Sequence, residues 1–191
     1  MSDDNGYISL FGFFEIKGVQ ETCTPFCVDN EPIGYDGVNL RSIDAKIQKG
    51  KDMYILSTKS DFDSAHFLKD YDGKCANIHG HRWTVAIEVK GEKLKETGSE
   101  RGMVTDFSEL KKSLKKLTKM LDHSLLIEEG SLKPATMEAM REEGFRIMEF
   151  PFRPTAENLA KYFYDNMTEE GYSVVKTTVY ETPNNAATYM M

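Results

Sequence analysis

The chain has 191 residues, with 24 Lys+Arg against 31 Asp+Glu and a net charge of −7. That acidic balance excludes the basic footprint by which proteins grip nucleic-acid backbones, and no apolar stretch approaches the roughly 20 residues of a membrane span. The cysteines, Cys23, Cys27 and Cys75, are too sparse for a secreted disulfide framework, and the acidic start Met1-Ser2-Asp3-Asp4 is unlike a signal peptide, so the expectation is a globular, cytoplasmic protein.

Residues 1–50 hold Gly, Asn, Asp and Pro at short intervals, as in Asn30-Glu31-Pro32-Ile33-Gly34, and sustain no period. They read as a partly ordered extension in which Tyr7 to Lys17 can form a strand or hairpin arm. Cys23 and Cys27 lie four apart, but without a second Cys pair or a nearby His they cannot close a structural zinc site, and ordinary thiols are the better reading. Residues 51–191 are patterned as one domain. Leu56, Thr58, Ser60, Phe62, Ser64 and His66 share one parity, which predicts a strand over Tyr54 to Phe67. A polar turn from Lys69 to Lys74 leads to a second strand, Ile78 to Lys90, with His79, His81, Trp83, Val85, Ile87 and Val89 on one face.

Gly91 to Gly102 is a charged loop. Phe107, Leu110, Leu114, Leu117 and Leu121 step by three and four, an amphipathic helix with Asp106 as its cap and Glu109 three residues on. A shorter helix from Pro134 to Glu143 closes at Gly144, and Phe145 to Phe150 is a brief strand. Thr155 caps a helix through Leu159, Phe163 and Met167 that ends near Gly171, and Ser173 to Glu181 is the final strand. This order predicts a mixed α+β fold on an antiparallel sheet.

The histidines carry the chemistry. His79 and His81 sit at i and i+2 of one strand and project together, and antiparallel pairing brings His66, at the end of the first strand, beside them. Three converging imidazoles make a zinc site with an open fourth position, while Gly80 between two of them allows close approach of another group. The competing reading is a set of hydrogen-bonded core histidines. His123 directly follows Asp122 at the end of the long helix, where a carboxylate can fix its tautomer, or where the imidazole simply complements the helix macrodipole. Cys75, four residues before His79, stays open three ways: a fourth ligand closing a structural site, a reactive thiolate just off the metal, or an inert buried thiol.

Six motifs in order carry a resemblance: Phe62-Asp63-Ser64-Ala65-His66, Cys75-Ala76-Asn77-Ile78-His79-Gly80-His81, Gly102-Met103-Val104-Thr105-Asp106-Phe107, Leu121-Asp122-His123, Pro154-Thr155-Ala156-Glu157-Asn158 and Tyr180-Glu181-Thr182. Over about 54 to 189 the chain resembles the 6-pyruvoyltetrahydropterin synthase family. The spacing from Cys75 to His79 is similar to the bacterial branch, the 6-carboxy-5,6,7,8-tetrahydropterin synthases of queuosine biosynthesis. The resemblance implies the tunnelling fold: a four-stranded antiparallel sheet with helices packed on one face, several subunits closing into an oligomeric barrel, commonly a homohexamer, with active sites between subunits. It implies one Zn2+ per subunit on His66, His79 and His81, proton transfer by Cys75, Asp122 and His123, and a pterin anchored by Glu181 in a pocket lined by Thr155.

The implied reaction is a lyase step on 7,8-dihydroneopterin triphosphate that releases triphosphate and acetaldehyde and leaves a 6-carboxy pterin. Two alternatives stand beside it. One is a 6-pyruvoyl-forming or folate-pathway synthase; the other is a non-catalytic, zinc-stabilised pterin-binding or assembly module. Asp106 reads as a helix cap and Glu157 as a macrodipole partner, both outside the site. The residue after the first ligand, commonly basic in this family, is Phe67 here, so Lys59, Lys69, Lys74 or Arg82 would meet the triphosphate.

Overall fold

The two period-two stretches become the long central strands of a sheet. The computed structural model describes residues 52–191, and the expectations for Tyr7–Lys17, Cys23 and Cys27 lie outside the described residues. Strands β1 (Tyr54–His66) and β2 (His79–Gly91) pair antiparallel without a break, from Tyr54 opposite Gly91 to His66 opposite His79. The remaining elements are α1 (Phe107–Leu121), β3 (Ser124–Glu128), α2 (Pro134–Glu142), β4 (Ile147–Phe150), α3 (Ala156–Glu169), β5 (Val174–Thr182) and β6 (Asn185–Met190), with a 3-10 turn at Lys74–Ala76 between β1 and β2.

The sheet departs from expectation in two respects. Among the described residues it has six strands rather than four, in the order β4-β3-β1-β2-β5-β6. It is also mixed, because β1 with β3 and β3 with β4 run parallel. Both extra strands lacked a readable period. In β3, Ser124-Leu125-Leu126-Ile127 are all buried, so both faces are covered and no alternation survives. At the far edge β6 carries small residues, Ala186, Ala187 and Thr188, and returns against β5 through a tight turn at Pro183-Asn184.

Helices α1 and α3 cover one face as expected. Leu110, Leu114, Leu117 and Leu121 of α1 and Leu159, Phe163 and Met167 of α3 meet Phe62, Trp83, Val85, Ile87 and Val89 in one core. Helix α2 does not join them. Met137 packs with Phe67, Leu125 and Ile127 in a second cluster, whose strand residues have the parity opposite to Leu126 and His66. Strand β3 has apolar residues of both parities, so it needs a cover on each side. Asp106 Oδ1 caps α1 by accepting from the Ser108 N–H at 2.6 Å, while Glu109 turns to Lys112 at 3.7 Å. No helix among the described residues is long and apolar enough to cross a membrane.

Candidate functional site

The site begins where the core ends. Trp83 is fully buried, stacked 6.0 Å from Phe62, and the rings of His66 and His81 stand edge-on to it at 5.0 and 5.3 Å. Burying a side chain of that size stabilises by about 1.5–3 kcal/mol, so the end of β2 that carries the imidazoles is pinned by packing. The β1–β2 register sets His66 opposite His79 and Ser64 opposite His81, so the three rings share the core face. Glu181 on β5 joins them from the next strand. One donor atom from each of His66, His79, His81 and Glu181 lies within 4.8 Å of every other.

The hydrogen-bond pattern determines which nitrogens are free. A carbonyl can only accept, so His66 Nδ1–H donates to the Pro154 carbonyl at 2.8 Å and His79 Nδ1–H to the Asn77 carbonyl at 2.7 Å. Both Nε2 atoms then present lone pairs, yet they face each other at 3.1 Å. Two neutral imidazoles held so have no proton to share across that gap, and a cation between them resolves the repulsion. Two metal–nitrogen bonds of ordinary length at a tetrahedral angle separate their nitrogens by about 3.3 Å. His81 Nε2 is buried with no hydrogen-bond partner, and Glu181 Oε1 lies 3.4 Å from His66 Nε2 and 3.7 Å from His81 Nε2. The donor set fits a divalent metal. Desolvation holds the pKa values of His66 and His81 below the ordinary imidazole value, which keeps both in the neutral form a metal requires.

Cys75 is half-buried on the 3-10 turn, and its thiol is not among the clustered donors. It lines a cleft of about 310 Å³ together with His66, Tyr71, Thr155, Glu157 and Glu181, at the small end of the range for small-molecule sites. Thr155 Oγ1 also caps α3, accepting from the Asn158 N–H at 3.4 Å. Glu157, read from sequence as a macrodipole partner, is an exposed carboxylate in this cleft.

Asp122 and His123 are in contact, with His123 Nδ1 3.0 Å from Asp122 Oδ2. The Asp63 backbone N–H donates to the other carboxylate oxygen at 2.9 Å, which, with His123, holds the Asp122 pKa below its usual value. His123 adopts a left-handed φ of 54°, tied down by its own N–H to the Asp63 carbonyl at 2.7 Å, and such a backbone is uncommon outside glycine. His123 of the dyad opens onto a different cleft from Cys75, one lined by Asp63, Gly80, Arg82 and Arg146 and also by Ser64 and His81. Asp63, Ala65 and Arg82 have the parity opposite to His66 and His81, and the two clefts share no residue. A Cβ at Gly80 would meet the Ser64 carbonyl at an ordinary 3.6 Å, and Gly80 lines this cleft.

The 6-pyruvoyl tetrahydropterin synthase family model matches residues 55–191. The Haemophilus influenzae 6-carboxy-5,6,7,8-tetrahydropterin synthase is 31% identical over 140 residues, covering 72% of this chain and 99% of that protein. The Synechocystis protein of the same name is 43% identical over 89 residues, 46% of this chain and 69% of its own length. Among solved structures, Plasmodium falciparum 6-pyruvoyl tetrahydropterin synthase superposes with a TM-score of 0.55 at 21% identity, covering 73% of this chain and 98% of that one, a likeness of fold.

Proposed function

This chain belongs to the 6-pyruvoyl tetrahydropterin synthase family, and from that premise we propose that it is a zinc-dependent lyase of queuosine biosynthesis. It converts 7,8-dihydroneopterin triphosphate to 6-carboxy-5,6,7,8-tetrahydropterin with release of acetaldehyde and triphosphate. The names of the bacterial relatives support the reaction. The observation that carries the metal is the pair of Nε2 lone pairs 3.1 Å apart. His66, His79 and His81 hold the zinc, which when bound supplies Lewis acidity to the substrate's side-chain hydroxyls.

The chain's own groups do the rest. Cys75 takes a carbon-bound proton in the cleft beside the histidines, and His123, oriented by Asp122, exchanges the other. Because His123 lines a different cleft from Cys75, the dyad that serves a given Cys75 comes from a neighbouring copy in an oligomeric barrel, a hexamer by resemblance. Thr155 lines the pterin pocket. Glu181, whose Oε1 stands against two imidazoles, anchors the pterin's amino and ring N–H groups from the cleft it lines, where Glu157 is a second carboxylate. The pterin synthase domain spans 51–191 behind an extension of residues 1–50, in a cytoplasmic enzyme.

Incubation with dihydroneopterin triphosphate, with and without a chelator, followed by mass spectrometry, tests this. Acetaldehyde and a 6-carboxy pterin are expected, and only without chelator. A 6-pyruvoyl product would support the reading favoured by the family's own name. Zinc that survives chelation with no turnover would support a closed, non-catalytic His₃Glu site, which Glu181 beside the histidines makes the competing arrangement.

A further inference from the structure

Resting on that substrate reading, we propose that Arg82 and Arg146 form the subsite for the substrate's triphosphate, in the cleft of about 580 Å³ that also holds His123. The phosphate chain hangs from the same short side chain on which His123 acts, so its first phosphate lies within about 4 Å of the reacting carbons. Cations that line the His123 cleft are therefore the ones in reach. A position after the first metal ligand cannot supply one here, because Phe67 is buried in the second apolar cluster.

None of the other candidates from the sequence lines the His123 cleft, although Lys59 shares a neighbouring one with Arg82, His81 and Glu181. Lys69 Nζ donates to the Gly130 carbonyl at 3.3 Å, Lys59 sits 5.5 Å over the Tyr180 ring, and Lys74 lies on the turn beside Cys75. Arg82 is 72% exposed, and its ion pair with Asp61 is long at 4.0 Å, that carboxylate already accepting from Thr84 Oγ1 at 2.7 Å. Arg146 donates to the carbonyls of Met120 at 2.8 Å, Asp122 at 3.3 Å and Lys119 at 3.5 Å. Those bonds fix the guanidinium beside the dyad and leave N–H donors of its five uncommitted. Asp63, beside Arg82 in the strand register, is the acid that lines the same cleft. Two guanidiniums present planar, permanently charged forks suited to phosphate oxygens.

A second feature is explained by the same assignment. Arg146 also lines an adjoining cleft of about 820 Å³ with Lys111, Lys112, Lys115, Lys116 and Lys119, the solvent side of α1. On a chain of net charge −7, that cationic row, in which Lys112 pairs with Glu109 and Lys116 with Glu170, ends at Arg146 and the His123 cleft. It forms an electrostatic approach for a polyanion, effective at low salt and screened at high salt.

Arg82→Gln is the decisive variant, because its exposed side chain supports no part of the fold. Its KM for dihydroneopterin triphosphate should rise about tenfold or more, the scale of one charge-assisted phosphate contact. Its kcat should stay within about threefold, and the inhibition constant of inorganic tripolyphosphate should rise in parallel. The dissociation constant of neopterin, which has no phosphate, should not move. Arg146→Gln should add to the effect, with circular dichroism reporting whether α1 survives. Unchanged KM and tripolyphosphate inhibition in Arg82→Gln, or the increase appearing in Lys74→Gln instead, would overturn the proposal while the lyase reading stands. A wild-type enzyme that neither binds neopterin nor turns over the triphosphate would overturn both.

Discussion

Two crippled variants should restore each other. In one chain, His66 and Cys75 open to one cleft and His123 to another, and the two clefts share no lining residue. If the site combines Cys75 of one copy with Asp122 and His123 of the next, Cys75→Ala and His123→Ala should each lose about 10²-fold in turnover, roughly 2.7 kcal/mol of barrier. Co-expressed one to one, the subunits assemble at random. A site works when its Cys75 comes from a His123→Ala chain and its His123 from a Cys75→Ala chain, each with a chance of one half. About one quarter of sites are then complete, some 25-fold above either parent. Differently tagged subunits, purified through both tags in sequence and assayed per site, give the number. Doubly tagged assemblies no more active than the parents would show that cysteine and histidine must share a chain, and the argument from the two clefts would fail.

Cys75→Ala alone should keep its metal, because the thiol is not among the clustered donors, and its melting temperature should move by less than about 4 °C; metal loss on that substitution would make the cysteine a ligand. His79→Ala should weaken metal binding at least about 100-fold by equilibrium dialysis against a chelator, with unchanged affinity counting against the three-imidazole site. Trp83→Ala should cost about 3–5 kcal/mol in urea unfolding, since the ring is fully buried and two metal-site imidazoles lean on it. Acid should act through His66 and His81, whose pKa values burial lowers. The unfolded chain takes up protons near pH 6.5 while the native site resists them, so the metal-free protein should lose stability as pH falls from 6.5 toward the lowered native values. Metal content should also fall on acidification, because protons compete with the metal for the imidazole nitrogens. Melts and metal content from pH 8 to 5 check both, and a melting temperature that rises on acidification would contradict the assignment.

Much of this protein is readable without coordinates because its informative segments have a single period. Alternation in Tyr54–His66 and His79–Gly91 specifies two strands and their inward faces, and three imidazoles on those faces then have one place to meet. The steps of three and four in α1, with Asp106 before it, specify that helix and its cap. Periodicity is silent where both faces are covered or where side chains are small, and so β3 and β6 were missed. Parallel pairing of β3 with β1, the move of α2 to the opposite face, and the separation of His123 from Cys75 depend on contacts between residues distant in sequence. Glu181 shows the same division. Its residue type, an acceptor in a recognisable motif, is local information. That its carboxylate stands 3.4 Å from His66 Nε2 follows from β2 bringing β5 alongside β1's metal end, and no spacing along the chain encodes a distance across three strands.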